Sequence, residues 1–171
     1  MFSTTALMIA AGGMVPLSLL ISYIDVKHLR IPNWTVLAVF GVFLAAALPL
    51  LPWGLDWETF LWRLGYGVIA FFAGFGIYSV MGGKIGAGDL KLLAVLVPFL
   101  SAVNFVGFAI IYIGISIVGL ILYLAARMIT KGRTTGFKGL DTRGYFPAGI
   151  LLGISMAVLL CLNLSDRLAA G

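Results

Sequence analysis

Apolar residues in this chain come in runs of about twenty, each closed by a short polar or glycine-rich break. The runs fall near Thr5–Ile24, Trp34–Leu51, Leu64–Met81, Gly88–Ala102, Phe105–Ala126 and Tyr145–Leu164. A helix needs about twenty apolar residues to cross the ~30 Å hydrocarbon core of a bilayer. The pattern therefore predicts six spanning helices. Length separates the fourth from the fifth: Leu90–Ala126 as one helix would be about 55 Å long, far more than a bilayer needs. Pro98, Ser101 and Asn104 mark the place for a tight turn. Small residues at helical spacing, Ala70 with Gly74 and Gly149 with Gly153, would let neighbouring helices approach closely, which is packing rather than chemistry. No long repeat, low-complexity segment or domain boundary stands out, so one integral-membrane domain over residues 1–171 is expected.

Composition sharpens this picture. Of 171 residues, 62% are hydrophobic and 10% charged, against roughly half and a quarter in a soluble domain. A water-solvated globule is excluded, and an all-α polytopic membrane protein is the expected fold. The net charge of +5 would suit a nucleic-acid binder in a soluble chain. Here Lys and Arg mark the cytoplasmic side instead, and no nucleic acid is expected. With both termini outside, the inner loops 25–33, 82–91 and 127–144 hold nine of the eleven basic residues, leaving only Arg63 and Arg167 outside. The opposite orientation would reverse that bias. Trp53, Trp57 and Trp62 cluster in the outer loop "PWGLDWETFLWR", and Trp34 opens the second span, as interfacial tryptophans do. The basic loop 127–144 reads as a topology signal, with anionic lipid head groups as a secondary contact. No Lys or Arg precedes the first run, so no cleaved signal peptide is expected. The one cysteine, Cys161, makes neither an intramolecular disulfide nor a Cys-based zinc site and is expected to be a buried small hydrophobe.

Two polar stretches carry the candidate chemistry, "SYIDVKHLRIPN" (22–33) and "GGKIGAGDLKLLA" (82–94). In the predicted topology Asp25 ends the first span and Asp89 begins the fourth, both on the cytoplasmic face at one depth. An ionisable group at a membrane boundary is a functional candidate. The plainer alternative is a carboxylate at headgroup level, solvated or paired with Lys91. Two close carboxylates share a proton, so one can activate a water while the other protonates a carbonyl. That is aspartic peptidase chemistry, which needs no metal and no cofactor. Gly86 and Gly88 would let a substrate strand lie against the loop. A glycine-rich turn at a helix start also suits phosphate, but an aspartate there repels it. Helix ends predict the roles: Asp89 near an N-terminus as the ionised base, Asp25 near a C-terminus as the protonated acid. The glycines of loop 82–88 make its ordering costly, so it is expected to be mobile without substrate. There is no H-E-x-x-H zinc motif, and the only histidine, His28, reads as an ordinary interfacial residue of a basic loop. A proton-coupled transporter would place its acids near the bilayer midplane, and a non-enzymatic membrane scaffold would need neither the glycines nor a second aspartate.

These motifs resemble a known family. "GAGDLKLLA" is similar to the G-x-G-D motif of the type IV prepilin peptidases, and "DVKHLRIPN" to their first aspartate motif, an Asp followed by a basic stretch and I-P-N. Length and span number resemble the short form that processes Flp-type (tight-adherence) pilins. The resemblance implies that Asp25 and Asp89 are the catalytic pair. Gly86, Gly88, Lys91, Pro32 and Asn33 would shape the site or position substrate. It further implies a prepilin or pseudopilin precursor as partner, cut on the cytoplasmic side of the bacterial inner membrane between a basic leader and a hydrophobic helix. Larger relatives carry a cysteine-rich cytoplasmic region and methylate the new N-terminus; the chain enters its first span almost at once, so neither methyltransferase activity nor zinc is expected. The chain departs from the pattern in having "VKHLR" where more arginine is usual. It also reads "GYFPAGI" where a P-Y-G-type sequence opens the last span, with Pro147 as the mapped residue.

Overall fold

The computed structural model describes residues 3–48, 57–80, 86–100, 105–130, 134–141 and 148–169. These form α1 (Thr4–His28), α2 (Asn33–Ala47), α3 (Trp57–Val80), α4 (Ala87–Leu100), α5 (Phe105–Ile129), the short α6 (Lys138–Asp141) and α7 (Ala148–Ala169). No strand occurs among the described residues. Helices α1, α3, α5 and α7 are long and apolar enough to cross a membrane. The second and fourth predicted spans are described only in part. At 15 and 14 residues, α2 and α4 rise about 21–23 Å, less than an upright crossing needs. Residues 49–56 and 101–104, where the predicted spans continued, lie outside the described residues.

Two boundaries move for physical reasons. The predicted outer loop around Trp57 and Trp62 is the first two turns of α3. Its amphipathic pattern turns Phe60 and Arg63 inward and leaves both tryptophans exposed, with Glu58 in the first turn to complement the helix dipole. The first predicted inner loop is shorter than 25–33: α1 continues through His28, so Asp25 is a helical residue one turn before the end. Cys161 is exposed on α7, not buried.

Helices α1 and α7 pack along each other, α2 and α4 complete a central group of four, α3 lies on α4, and α5 lies on α7. The core between the central four contains Met14 and Ile21, Val39 and Phe43, Leu92, Leu96 and Phe99, and Met156 and Leu160. Phe43 is its hinge, stacked on Phe60 at 6.2 Å and edge-on to Phe99 at 5.3 Å, geometries that aromatic quadrupoles favour. Close approach depends on small residues as expected. A Cβ on Gly67 would meet the Ala94 carbonyl oxygen at 3.0 Å and the Pro98 ring at 3.1 Å, and one on Gly153 would touch Ser18. The packing brings the C-terminal end of α1, the start of α2, the start of α4 and the start of α7 to one end of the bundle.

Candidate active site

The chain reverses sharply after α1. Leu29 adopts left-handed torsions (φ 51°, ψ 40°), and its N–H donates to the Asp25 carbonyl at 2.7 Å, closing the helix end. Such a conformation costs a non-glycine residue about 1–2 kcal/mol and is held by its surroundings. Pro32 then opens α2: its carbonyl accepts from the Thr35 N–H at 3.1 Å and the Thr35 hydroxyl at 2.7 Å.

Asp25 is only 5% exposed. Its Oδ2 accepts the Gly149 N–H at 2.9 Å, and the Ile150 N–H is a second backbone donor toward it. Both belong to the first turn of α7, whose unpaired amides favour a negative charge. Asp25 ends one helix but faces the beginning of another. The premise that helix ends separate an acidic Asp25 from a basic Asp89 therefore does not hold, since both carboxylates sit at helix N-termini.

Asp89 lies in the first turn of α4. The Gly86 carbonyl caps that turn, accepting from the Asp89 N–H at 3.1 Å and the Leu90 N–H at 3.4 Å. The Asp89 carboxylate folds back over the cap, so that a Cβ on Gly86 would stand 2.6 Å from its Oδ2. A Cβ on Gly88 would meet the Ile31 Cβ at 3.0 Å and the Ile31 N at 3.3 Å. The two glycines thus have separate uses, one leaving room for the carboxylate and the other admitting the Ile31 backbone. The expected mobility of loop 82–88 falls largely on residues 82–85, outside the described residues.

Asp25 and Asp89 line one cavity of about 700 Å³ and are near enough to interact through their charges. Gly86, Gly88, Pro32, Asn33 and Lys91 line it as well. Lys91 is turned toward Asn33, donating to its Oδ1 at 3.0 Å, and so ties α4 to α2. Pro147 lies outside the described residues. His28, read as an ordinary interfacial residue, is on the cavity wall with Arg30. Among the described residues no three of His, Cys, Asp or Glu converge as metal ligands would.

Three contributors escaped the sequence reading. Gly149, read only as a packing glycine, supplies the amide that holds Asp25. Ile31 sits between Gly88 and Gly149, since a Cβ on Gly149 would reach its Cδ1 at 2.5 Å. Lys138 reaches the cavity from the basic loop. That loop is partly built: Asp141 accepts from the Thr135 N–H (3.1 Å), the Thr135 hydroxyl (2.8 Å) and the Gly136 N–H (3.2 Å), and Phe137 packs edge-on to Tyr23 of α1. These hydrogen bonds, with those of Thr135 first, hold the exposed Asp141 carboxyl below the ordinary carboxylate range. Nothing in the local pattern of the basic loop distinguishes Lys138 from its neighbours.

A family model described as the type IV leader peptidase family matches residues 13–124. The match includes Asp25, Ile31 and the Gly86–Asp89 turn and ends before α6 and α7. No curated protein and no solved structure matches the chain.

Proposed function

The chain belongs to the type IV leader peptidase family and is a peptidase, and from that premise we propose an aspartic mechanism in which Asp25 and Asp89 act together. The substrate is a Flp-type prepilin or pseudopilin, and the chain is a single peptidase domain. It crosses the bacterial inner membrane six times with both termini outside and cuts at the cytoplasmic face. The observation that carries this reading is the meeting of two carboxylates, far apart in the chain, on one partly enclosed cavity.

The chemistry follows from that arrangement. A water held between the carboxylates gives a proton to one of them and attacks the scissile carbonyl carbon, while the other protonates the carbonyl oxygen. The tetrahedral diol then collapses, the C–N bond breaks, and the departing amine takes up a proton from the pair. The Gly149 amide fixes the direction of the Asp25 carboxylate, and the capped turn at Gly86 fixes that of Asp89. Preorganisation of this kind is where such a site gains its rate. Arg30, Lys91 and Lys138 bring positive charge to the cavity wall, which supports orientation of the polar backbone of an extended peptide.

The test is cleavage of a Flp-type pilin precursor by the purified chain in lipid vesicles. Asp25→Asn and Asp89→Asn keep shape and remove the exchangeable acid. Each is expected to abolish cutting while helicity and thermal midpoint stay within the wild-type range. Cutting at the wild-type rate by either variant refutes the pair.

A further inference from the structure

We propose that the apolar cleft between α2 and α3 is the docking site for the hydrophobic helix of the substrate, which it delivers end-on to the aspartates. The inference rests on the peptidase reading above and adds where the membrane-embedded part of the precursor lies. The cleft has a volume of about 690 Å³. Helix α4 forms its floor, packing against both α2 and α3, whereas α2 and α3 make no substantial contact with each other among the described residues. The cleft therefore opens sideways, toward lipid, along its length.

Its lining has one polar end. On α2 the face runs from Asn33 through Val36 and Leu37 to Phe40, and on α4 from Lys91 to Pro98. Each is an i, i+3, i+4, i+7 stripe about 10 Å long, two turns of helix. The only polar residues on the wall are Asn33 and Lys91, and these same two also line the aspartate cavity. The Lys91–Asn33 hydrogen bond is thus the common wall of an apolar cleft and an acidic cavity. A chain whose first helical turns lie in the cleft must continue past this bond to reach the carboxylates. An apolar helix suits the cleft because it satisfies its own backbone polar groups in lipid. The extended segment preceding it suits the cavity, where backbone must be open to attack.

A second apolar groove lies between α5 and α7 and includes Val118, Leu122 and Ile154. None of its lining residues lines the aspartate cavity itself, but Val26 and Ile150 beside Asp25 line the groove, so a helix seated there would approach from the α1–α7 side. It serves as the competing outcome.

The experiment places photo-reactive benzoylphenylalanine at position 37 or 68 in the cleft, at 122 in the second groove, or at 113 on the exposed face of α5. Each is made in the Asp25→Asn chain in vesicles with a Flp-type pilin precursor. Crosslinks from Leu37 and Val68 to the apolar helix, competed by unlabelled precursor and at least tenfold above those from Ile113 and Leu122, are expected. Equal yields at all four positions, no crosslink from 37 or 68, or crosslinks from 122 alone overturn the proposal. In the otherwise wild-type chain, Leu37→Trp is expected to raise KM for the precursor about tenfold, while Leu122→Trp leaves it within about twofold. Failure here is separable from failure of the aspartic reading. If Asp25→Asn still cuts, the mechanism is wrong whatever the crosslinks show. If it is inactive but crosslinks are uniform, only the docking site is wrong.

Discussion

Replacing Gly86 by alanine separates the geometry of the site from the stability of the fold. The added Cβ would stand 2.6 Å from the Asp89 Oδ2, while ordinary van der Waals contact begins near 3.4 Å. The carboxylate must therefore retreat by about 0.8 Å. It is the free end of a side chain, so it can retreat without moving backbone, and the fold is little strained. Exchanging glycine for alanine at a helix cap costs a few tenths to about 1 kcal/mol, offset by a similar gain from restricting the unfolded chain. The net effect on stability is expected to stay under about 1 kcal/mol. Catalysis is more exacting: a misplacement near 1 Å costs about 100-fold, close to 2.7 kcal/mol of transition-state stabilisation. The assay is the single-turnover cleavage rate of saturating pilin precursor in vesicles, beside a thermal unfolding midpoint. Gly76→Ala on α3 is the control, because its Cβ would meet nothing within 4 Å. A rate within about threefold of wild type for Gly86→Ala would refute the placement of the Asp89 carboxylate over the cap.

Gly149→Ala would bring a Cβ within 2.9 Å of the Asp25 Oδ2 and 2.5 Å of the Ile31 side chain. It is expected to lower the cleavage rate at least about tenfold, and an unchanged rate in stopped-time assays would argue that the Gly149 amide does not hold Asp25. The clasp on Asp141 has a defined pH dependence. Its carboxyl is held below the ordinary range near 4, so its stabilisation is complete above that range and fades only as pH falls through the lowered value. Hydrogen-exchange protection of the Thr135 and Gly136 amides, corrected for intrinsic rates, should persist through pH ~4 and disappear below it. Asp141→Asn should weaken it at every pH where the wild-type carboxylate is ionised.

The helices and the two aspartates were legible because their signals are local. Apolar runs mark where the long helices lie, and a carboxylate closing or opening such a run stands out in a few residues. The partners of those carboxylates were not legible. The amide that holds Asp25 lies 124 positions away, and a backbone N–H has no side-chain signature. The same holds for the role of Lys91, whose partner Asn33 is 58 positions away. Near it in sequence is Asp89, with which an ion pair was the plainer alternative. The start of α3 was missed for a different reason. Trp57 to Arg63 is an amphipathic helical extension, and a search for continuous apolar runs discards any segment with Glu58 and Arg63 in it.

Ile31 connects these observations. A Cβ at Gly88 or at Gly149 would strike it, so the turn after α1 is wedged between the start of α4 and the start of α7. Gly88 precedes Asp89 directly, and Gly149 bonds Asp25 directly. One apolar side chain therefore packs beside both the backbone that carries Asp89 and the residue whose amide bonds Asp25. The spacing of the first motif follows from that geometry. Leu29 reverses the chain one turn after Asp25 so that Ile31 enters the wedge, Pro32 starts α2, and Asn33 meets Lys91. The stretches that stood apart as two interruptions of an apolar pattern are two sides of one contact. Gly88 of the second receives the isoleucine of the first.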